Sequence, residues 1–259
     1  RLLFDTVDLH FLREQRLAEL TGDAGARRAA ARTRRQELAL AARADTTLVV
    51  SSAERDLLRR LLPAADVQVL SNLHRLPPPG PGPHARRDLL FVGGFGHPPN
   101  VDAVRWFVEA VFPRVRAALP EVAFHCIGGD VPPAIAALAA QPGVQIHGHV
   151  PDLRPWLDGC RVAVAPLRVG AGVKGKVNQA MAHGLPVVAT PLAAEGMHLR
   201  DGEDVLLAGD PDAFAAAIVR LYRDPALWQR LAAHGRANVA RHFSLEAARP
   251  LVRALFLGR

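Results

Sequence analysis

Residues 161–196, RVAVAPLRVGAGVKGKVNQAMAHGLPVVATPLAAEG, decide the fold. They open with Val162-Ala163-Val164-Ala165, an apolar run short and β-branched enough to predict a buried strand. A glycine turn follows, Gly170-Ala171-Gly172, and from Lys174 to His183 the apolar Val177, Ala180 and Met181 fall on one helical face. Gly184 is placed to end that helix and Pro186 cannot continue it. Val187-Val188-Ala189 then predicts a return strand. Strand, glycine turn, helix and strand make a βαβ unit. Such a unit gathers free backbone amides and the positive end of a helix dipole at the carboxyl edge of a parallel sheet, where phosphate groups bind. Lys174 and Lys176 add full charges at the helix end where cations are disfavoured. They are either solvated surface lysines or partners of a bound anion, and the helix-end electrostatics favours the anion.

The alternation continues outward in both directions. Upstream, the strand Leu89–Val92 leads into Gly93-Gly94-Phe95-Gly96-His97 and a helix from about Asn100, its expected cap, to about Leu119. Then come strand Ala123–Ile127 with Gly128-Gly129-Asp130, helix Pro132–Ala140, strand Val144–Ile146, the loop His147-Gly148-His149-Val150 and a short helix Asp152–Leu157. Downstream, strand Val205–Leu207 precedes helices Pro211–Arg223 and Pro225–Phe243, the second expected to kink near Gly235. A final helix from Leu245 has two possible partners, this sheet or the region before it. Each glycine cluster follows a strand, so the turns converge on one crevice.

Before this series, Arg1–Val7, Thr46–Val50 and Val67–Leu70 predict strands. Helices are expected over Phe11–Leu20, Ala24–Arg43 and after Ser52 as N-cap. These are too few strands for a complete doubly wound sheet. The stretch from Leu76 to Arg87, LPPPGPGPHARR, reads as a proline-stiffened linker. The expected organisation is therefore a partial Rossmann-like region over 1–76, the linker over 77–87, a near-complete α/β doubly wound parallel sheet over 88–244, and a last helix over 245–259. The chain opens on Arg1 and is read as a piece of a longer one.

Composition bounds the function. The chain has 259 residues and a net charge of +7. No apolar run reaches the ~18 residues needed to span a bilayer. Two cysteines, Cys126 and Cys160, make no disulfide framework and no metal spacing. Aromatics are too scarce for the stacking platforms of a nucleic-acid binder, so no nucleic-acid partner is expected. The positive charge fits an anionic substrate or an anionic membrane surface better.

The segments VGGFGHPPNVDAV, HGHVPDLRPWL, VAPLRVGAGVKGKVNQAMAHGLPVVAT and AAEGMHLRDGEDVLLA, spread over residues 89–244, resemble the nucleotide-sugar-binding domain of retaining GT-B glycosyltransferases of family 4. FDTVDLHFLREQR and ADTTLVVSSAE look like the end of that family's acceptor-side domain. The resemblance implies a GT-B fold and transfer of a sugar, with retention, from a nucleoside-diphosphate sugar to a glycan or lipid-linked acceptor. It implies no cofactor, a place in cell-envelope polysaccharide assembly, and a cytoplasmic location or loose attachment to the inner membrane face. A sugar-nucleotide epimerase or hydrolase on the same fold, or a non-catalytic binding module, are the other readings.

The implied donor-binding residues are Gly93, Gly94, Phe95, Asn100, His149, Arg168, Gly172, Val173, Lys174, Gly175, Lys176, Gln179 and Glu195. The diphosphate would meet the amides of Gly172–Gly175, the base and ribose would lie near His149 and Gln179, and Glu195 would face the sugar. The family's paired glutamates are replaced by Ala171 and Gln179, and its basic residue after the first strand by Gly94. The turn looks similar instead to that of subgroups with a GAGxKGK turn, and Lys174, Lys176 and Arg168 could stand in electrostatically for the missing groups. Lys174 is the catalytic candidate for the leaving group. Asp8 and His10, at the end of a first-region strand, either orient and deprotonate an acceptor hydroxyl or serve as helix cap and turn residue. No Asp-x-Asp triplet stands at a strand end, so no metal site is expected.

Overall fold

Three short parallel strands open the chain, β1 (Leu3–Asp5), β2 (Thr46–Val49) and β3 (Val67–Val69), ordered β1-β2-β3. The computed structural model describes residues 1–257. Helices α1 (His10–Thr21) and α2 (Ala24–Arg43) link β1 to β2, and Gly22 takes the left-handed turn between them at φ 71°. The Asp23 carboxylate caps α2 by accepting from the amides of Gly25 and Ala26. Helix α3 (Ser52–Leu61) is capped by Ser51, whose hydroxyl accepts from the Glu54 amide, so the cap falls one residue before the expected Ser52. Leu9, Phe11, Val49, Leu58 and Val67 form this region's core.

The second sheet holds β4 (Arg87–Val92), β5 (Phe124–Ile127), β6 (Val144–Gly148), β7 (Cys160–Ala165), β8 (Val187–Ala189) and β9 (Leu206–Leu207). All pair in parallel, in the order β6-β5-β4-β7-β8-β9. Chain order runs outward from β4 to β6, then returns to β7 on the other side. That reversal opens a crevice between the carboxyl ends of β4 and β7, bordered by the turn at Gly93-Gly94 and the turn before Lys174.

Among the described residues, nine helices flank this sheet or cross from it: α4 (Pro98–Trp106), α5 (Phe112–Ala118), α6 (Pro133–Ala136), α7 (Arg154–Gly159), α8 (Gly175–Ala182), α9 (Pro191–Ala194), α10 (Pro211–Arg223), α11 (Pro225–His242) and α12 (Leu245–Leu257). The helix expected from Asn100 starts earlier, at Pro98, and widens into a π-turn over Phe107–Val111. Pro113 follows that turn and has no amide to complete a regular ladder. The widening coincides with full burial of Phe107, whose ring sits 4.6 Å from that of Phe124. The kink expected near Gly235 is absent and α11 is continuous. An added Cβ at Gly235 would meet Met181 of α8 at 3.0 Å, so this glycine serves close helix packing rather than a break.

The linker packs more than its composition predicts. Pro83 is buried, and the Arg86 guanidinium, 3% exposed, donates to the carbonyls of Pro81 (2.7 Å), Leu157 (2.5 Å), Cys160 (3.2 Å) and His183 (3.3 Å). Its charged centre lies 5.4 Å from the Trp228 ring centroid. Helix α12 reaches back to the first region, where Arg1 donates to the Leu255 carbonyl at 3.0 Å. The last two residues of the expected 245–259 segment lie outside the described residues.

Candidate functional site

The turn from β7 into α8 is buried from Val169 through Lys174, yet no backbone amide of that stretch donates to a protein acceptor among the described residues. Two glycines shape it: Gly170 at φ 144° and Gly172 at φ 65°, conformations that side-chain-bearing residues rarely adopt. Lys174 is the N-cap residue of α8, and its ammonium folds back onto the carbonyls of Ala171 (2.9 Å) and Gly172 (2.6 Å). The Lys176 ammonium donates to Asn100 Oδ1 of α4 at 2.5 Å and stands 4.3 Å from the ring centroid of Phe91 on β4. A Cβ on Gly93 would fall 2.6 Å from that ammonium, so glycine is what lets the lysine reach the strand end.

Neither lysine has a carboxylate partner within ion-pair distance among the described residues. Burial pushes the Lys174 ammonium down from 10.5 to about 8, against the pull of Glu195, and burial pushes Lys176 down to about 7. Unpaired amides, a helix N-terminus and two under-compensated ammoniums in one crevice are chemically matched to a multiply charged anion.

Asn100 does not cap its helix. His97 holds the N-cap position, and the Asn100 side chain is instead spanned between the Gly94 carbonyl, to which it donates at 2.6 Å, and Lys176. It thereby ties the turn after β4 to α8. Phe95 is buried and its amide donates to Gly129. Val173 is buried, Gly175 and Gln179 are half-buried, and His149 is exposed beyond β6. His147 stacks on His125 at 5.2 Å and meets Trp156, a packing role.

Two expected donor contacts, Arg168 to phosphate and Glu195 to the sugar, are committed elsewhere. Arg168 lies 3.0 Å and 2.5 Å from the two Asp102 carboxylate oxygens and over the Trp106 ring, on the wall of a groove of about 640 Å³. Leu17, Leu20, Phe95, Val101 and Trp106 line that groove, so Trp106 is a wall residue rather than wholly core. Glu195 is held by Arg16 of α1 in a two-pronged pair at 2.6 and 2.9 Å, and Arg16 also donates to the Gly170 carbonyl at 2.8 Å. The Arg16 hydrogen bonds to Glu195 hold its carboxyl below the ordinary range.

The two regions therefore meet at the glycine turn. A Cβ on Gly172 would touch Asp8 Cβ at 3.1 Å and Val50 at 3.2 Å, and one on Gly196 would strike Ser51 at 2.6 Å. Asp8 does not cap α1, whose N-cap position is Leu9; Arg13 holds one carboxylate oxygen at 2.5 Å. The other oxygen is buried without a hydrogen bond, 3.3 Å from His10 Nδ1. His10 also meets Glu37 at 3.2 Å, and Glu37 binds the amides of His10 and Phe11. Glu54, 2% exposed, accepts from the Leu9 amide, and burial raises its carboxyl above the ordinary range.

A family model described as "Glycosyl transferases group 1" matches residues 86–224, more than half of the chain. The chain belongs to the group 1 glycosyl transferases. Among relatives of the family, it is 32% identical over 147 residues to the lipopolysaccharide core biosynthesis glycosyltransferase LpsE of Rhizobium meliloti, covering 54% of this chain and 42% of LpsE. It is 29% identical over 141 residues to a 44.6 kDa protein of the cps region of Klebsiella pneumoniae, covering 51% of this chain and 36% of that protein. The chain thus spans well under half the length of these two relatives. In structure it is similar to sucrose-phosphate synthase from Thermosynechococcus elongatus, with TM-score 0.77, 22% identity and coverage of 99% of this chain and 68% of the synthase. It is also similar to Alr3699/HepE from Anabaena, solved in complex with UDP and glucose, with TM-score 0.71, 16% identity and coverage of 88% and 67%. At these identities the likeness is one of fold, the GT-B α/β architecture.

Two residues of the site, Arg16 and Asn178, carry no motif in the sequence that singles them out. Arg16 was one arginine among many on early helical turns, with nothing local to mark its reach to Glu195. Asn178 is wholly buried on α8 with neither side-chain amide atom paired, four residues from Lys174 and so on its helical face. Polarity inside an otherwise apolar helical stripe was the available signal.

Proposed function

We propose that the protein transfers a sugar, with retention, from a nucleoside-diphosphate sugar to a glycan or lipid-linked acceptor. One observation carries this reading: two ammoniums without carboxylate partners lie buried beside a turn of unpaired amides, at the carboxyl edge where a doubly wound sheet reverses. In such a transfer the leaving group is a nucleoside diphosphate, and the barrier falls as its developing charge is stabilised. Lys174, Lys176 and the amides of Gly172–Gly175 do that work, with Asn100 orienting Lys176. The two lysines provide the counter-charge that a divalent ion would otherwise supply, so turnover is expected to survive chelation.

Asp8 and His10 face the turn from the acceptor side. Asp8, with its unpaired oxygen opposite Gly172, orients the acceptor hydroxyl and takes up its proton as the new bond forms. Phe95, His149, Val173 and Gln179 surround the nucleotide, Arg168 is kept from it by Asp102, and Glu195 meets the sugar once Arg16 yields it. The LpsE and cps-region relatives support a role in envelope polysaccharide assembly, and the place proposed for it is the cytoplasmic side, in loose contact with the membrane. The test is nucleoside diphosphate release by the full-length protein over a panel of donors, with and without acceptor and with chelator. Release that needs acceptor and is lost in Lys174→Ala supports the transferase; equal release from donor alone points to hydrolysis or epimerisation, and undiminished turnover by Lys174→Ala overturns the cradle.

A further inference from the structure

Away from the crevice, a hollow of about 310 Å³ opens between the loop after α9 and the last turns of α11. His234, Asn238, Arg241 and His242 follow one another at helical spacing on α11 and so share one face of it, and His198 and Arg200 meet them from the loop. Arg241 and His242 suit the carboxyl end of a helix on their own account. His234, two turns earlier, and the two loop residues are not explained that way. Asp204 is the one acid lining the hollow among the described residues, and it is already committed: it accepts from the Arg200 amide at 3.0 Å and faces Arg200 Nε at 3.5 Å. Glu203 holds another nitrogen of Arg200 at 2.7 Å. Among the described residues His198, His234, Arg241 and His242 have no carboxylate within ion-pair distance. His198 and His242 stack face to face, ring centroids 4.2 Å apart and 17° from parallel, with His198 held left-handed at φ 56°. Burial, then His198 and Arg241, keep the His242 imidazole below its ordinary range, against the pull of Asp204. Stacked rings turn faces rather than nitrogens to each other, and no three His, Cys, Asp or Glu side chains among the described residues gather as a metal site.

We propose that this hollow binds a small, doubly charged oxyanion such as a phosphate monoester, at a site separate from the donor crevice. Cations from two distant chain segments converge on one concavity whose only acid is spent, and neither Lys174 nor Lys176 lines it. Arg241 offers a forked donor for two oxygens, and each imidazole adds an N–H. Its volume lies at the low end of small-ligand sites. An anion among these groups pairs charges that otherwise repel one another, so binding draws protons onto His198 and His242. The charged groups acting on that stacked pair are Arg200 and Asp204 of the loop and His234 and Arg241 of the helix. Asn238, buried against the loop, donates to the Met197 carbonyl at 3.0 Å, two residues beyond Glu195. An anion held by His198 and Arg241 thereby braces the loop that presents Glu195, a consequence that rests on the transferase reading; the binding itself does not.

The experiment is histidine side-chain NMR of the full-length protein titrated with sulfate, without donor or acceptor, against chloride at equal ionic strength. Sulfate keeps its double charge between pH 6 and pH 8, so any change of affinity over that range reports the imidazoles. At pH 6 sulfate is expected to shift the resonances of His198, His234 and His242, with affinity about tenfold weaker at pH 8, the effect of one imidazole whose pKa rises by one unit on binding. Arg241→Gln is expected to weaken binding about tenfold. Arg28→Gln, exposed on α2 and equal in charge change, is expected to leave it within about twofold. His198→Gln with His242→Gln should abolish the pH dependence, and Lys174→Ala should leave the imidazole shifts as they are. Unchanged thermal melting shows that each variant is folded, and the titration of the unaltered protein decides even where a variant is not. Equal shifts with chloride, affinity that is the same at both pH values, loss of the shifts in Lys174→Ala, or a response to zinc in place of sulfate overturns the proposal.

Discussion

Two places in this molecule bury cations without a carboxylate in contact, and they do it for opposite ends. Arg86 spends its guanidinium on four carbonyls and lies over an indole ring, closing the linker onto β7 and α8. Every bond it makes is internal, and burial lowers its proton affinity. Lys174 and Lys176 make fewer bonds, sit beside amides that have no protein acceptor, and fall to about 8 and about 7. A satisfied buried cation is structure. An under-satisfied one at a sheet's carboxyl edge is held ready for an anion, and the fold carries its desolvation until the anion comes.

The largest effect separates the two sites outright. Arg86→Ala takes the shared donor from four carbonyls and leaves a hole beside Trp228, and is expected to cost about 3–5 kcal/mol. Urea denaturation should show the midpoint falling, with activity tracking the folded fraction. Lys176→Met should do the reverse: kcat/KM is expected to drop by about 10²–10³, while the apo protein melts about 2–4 °C higher because an ill-compensated charge is gone. A lower melting point in that variant would make Lys176 a structural cation like Arg86.

Next comes pH. Both lysines have folded values below the ordinary 10.5, so the unfolded chain binds more protons than the folded one between about pH 7 and 10.5. Stability of the apo protein is therefore expected to rise with pH through that window and to fall as pH drops towards 7. Donor affinity runs the other way, weakening above about pH 8 as the ammoniums lose their protons. Thermal melts with and without a nucleoside diphosphate, from pH 6.5 to 9.5, check both signs. The smallest effect is at the seam: Arg16→Gln releases Glu195, a pair 24% and 38% exposed, and is expected to cost less than about 1 kcal/mol of stability while shifting the donor KM a few-fold.

Much of this was readable from the chain because strands and glycine turns announce themselves locally. Val162–Ala165, the turn at Gly170 and the cap at Gly184 are each set by neighbours a few residues away, and the doubly wound order follows from their alternation. What could not be read needs partners distant in sequence. Asn100 looked like a cap because it follows Pro98-Pro99, yet its side chain is claimed by Lys176, 76 residues on. Arg168 was counted for phosphate before Asp102, 66 residues back, was seen to hold it. Gly235 looked like a helix break because the methionine it accommodates lies on another helix. The linker's composition hid one arginine that ties it down.

The most direct measurement is calorimetry of nucleoside diphosphate binding to the full-length protein near pH 8, repeated in buffers of different ionisation enthalpy. If the two lysines are the anion's partners, binding draws protons onto them, and the heat should reveal proton uptake that shrinks in Lys174→Ala and again in Lys176→Met. Binding with no proton uptake, or with affinity untouched by either substitution, would contradict the cradle.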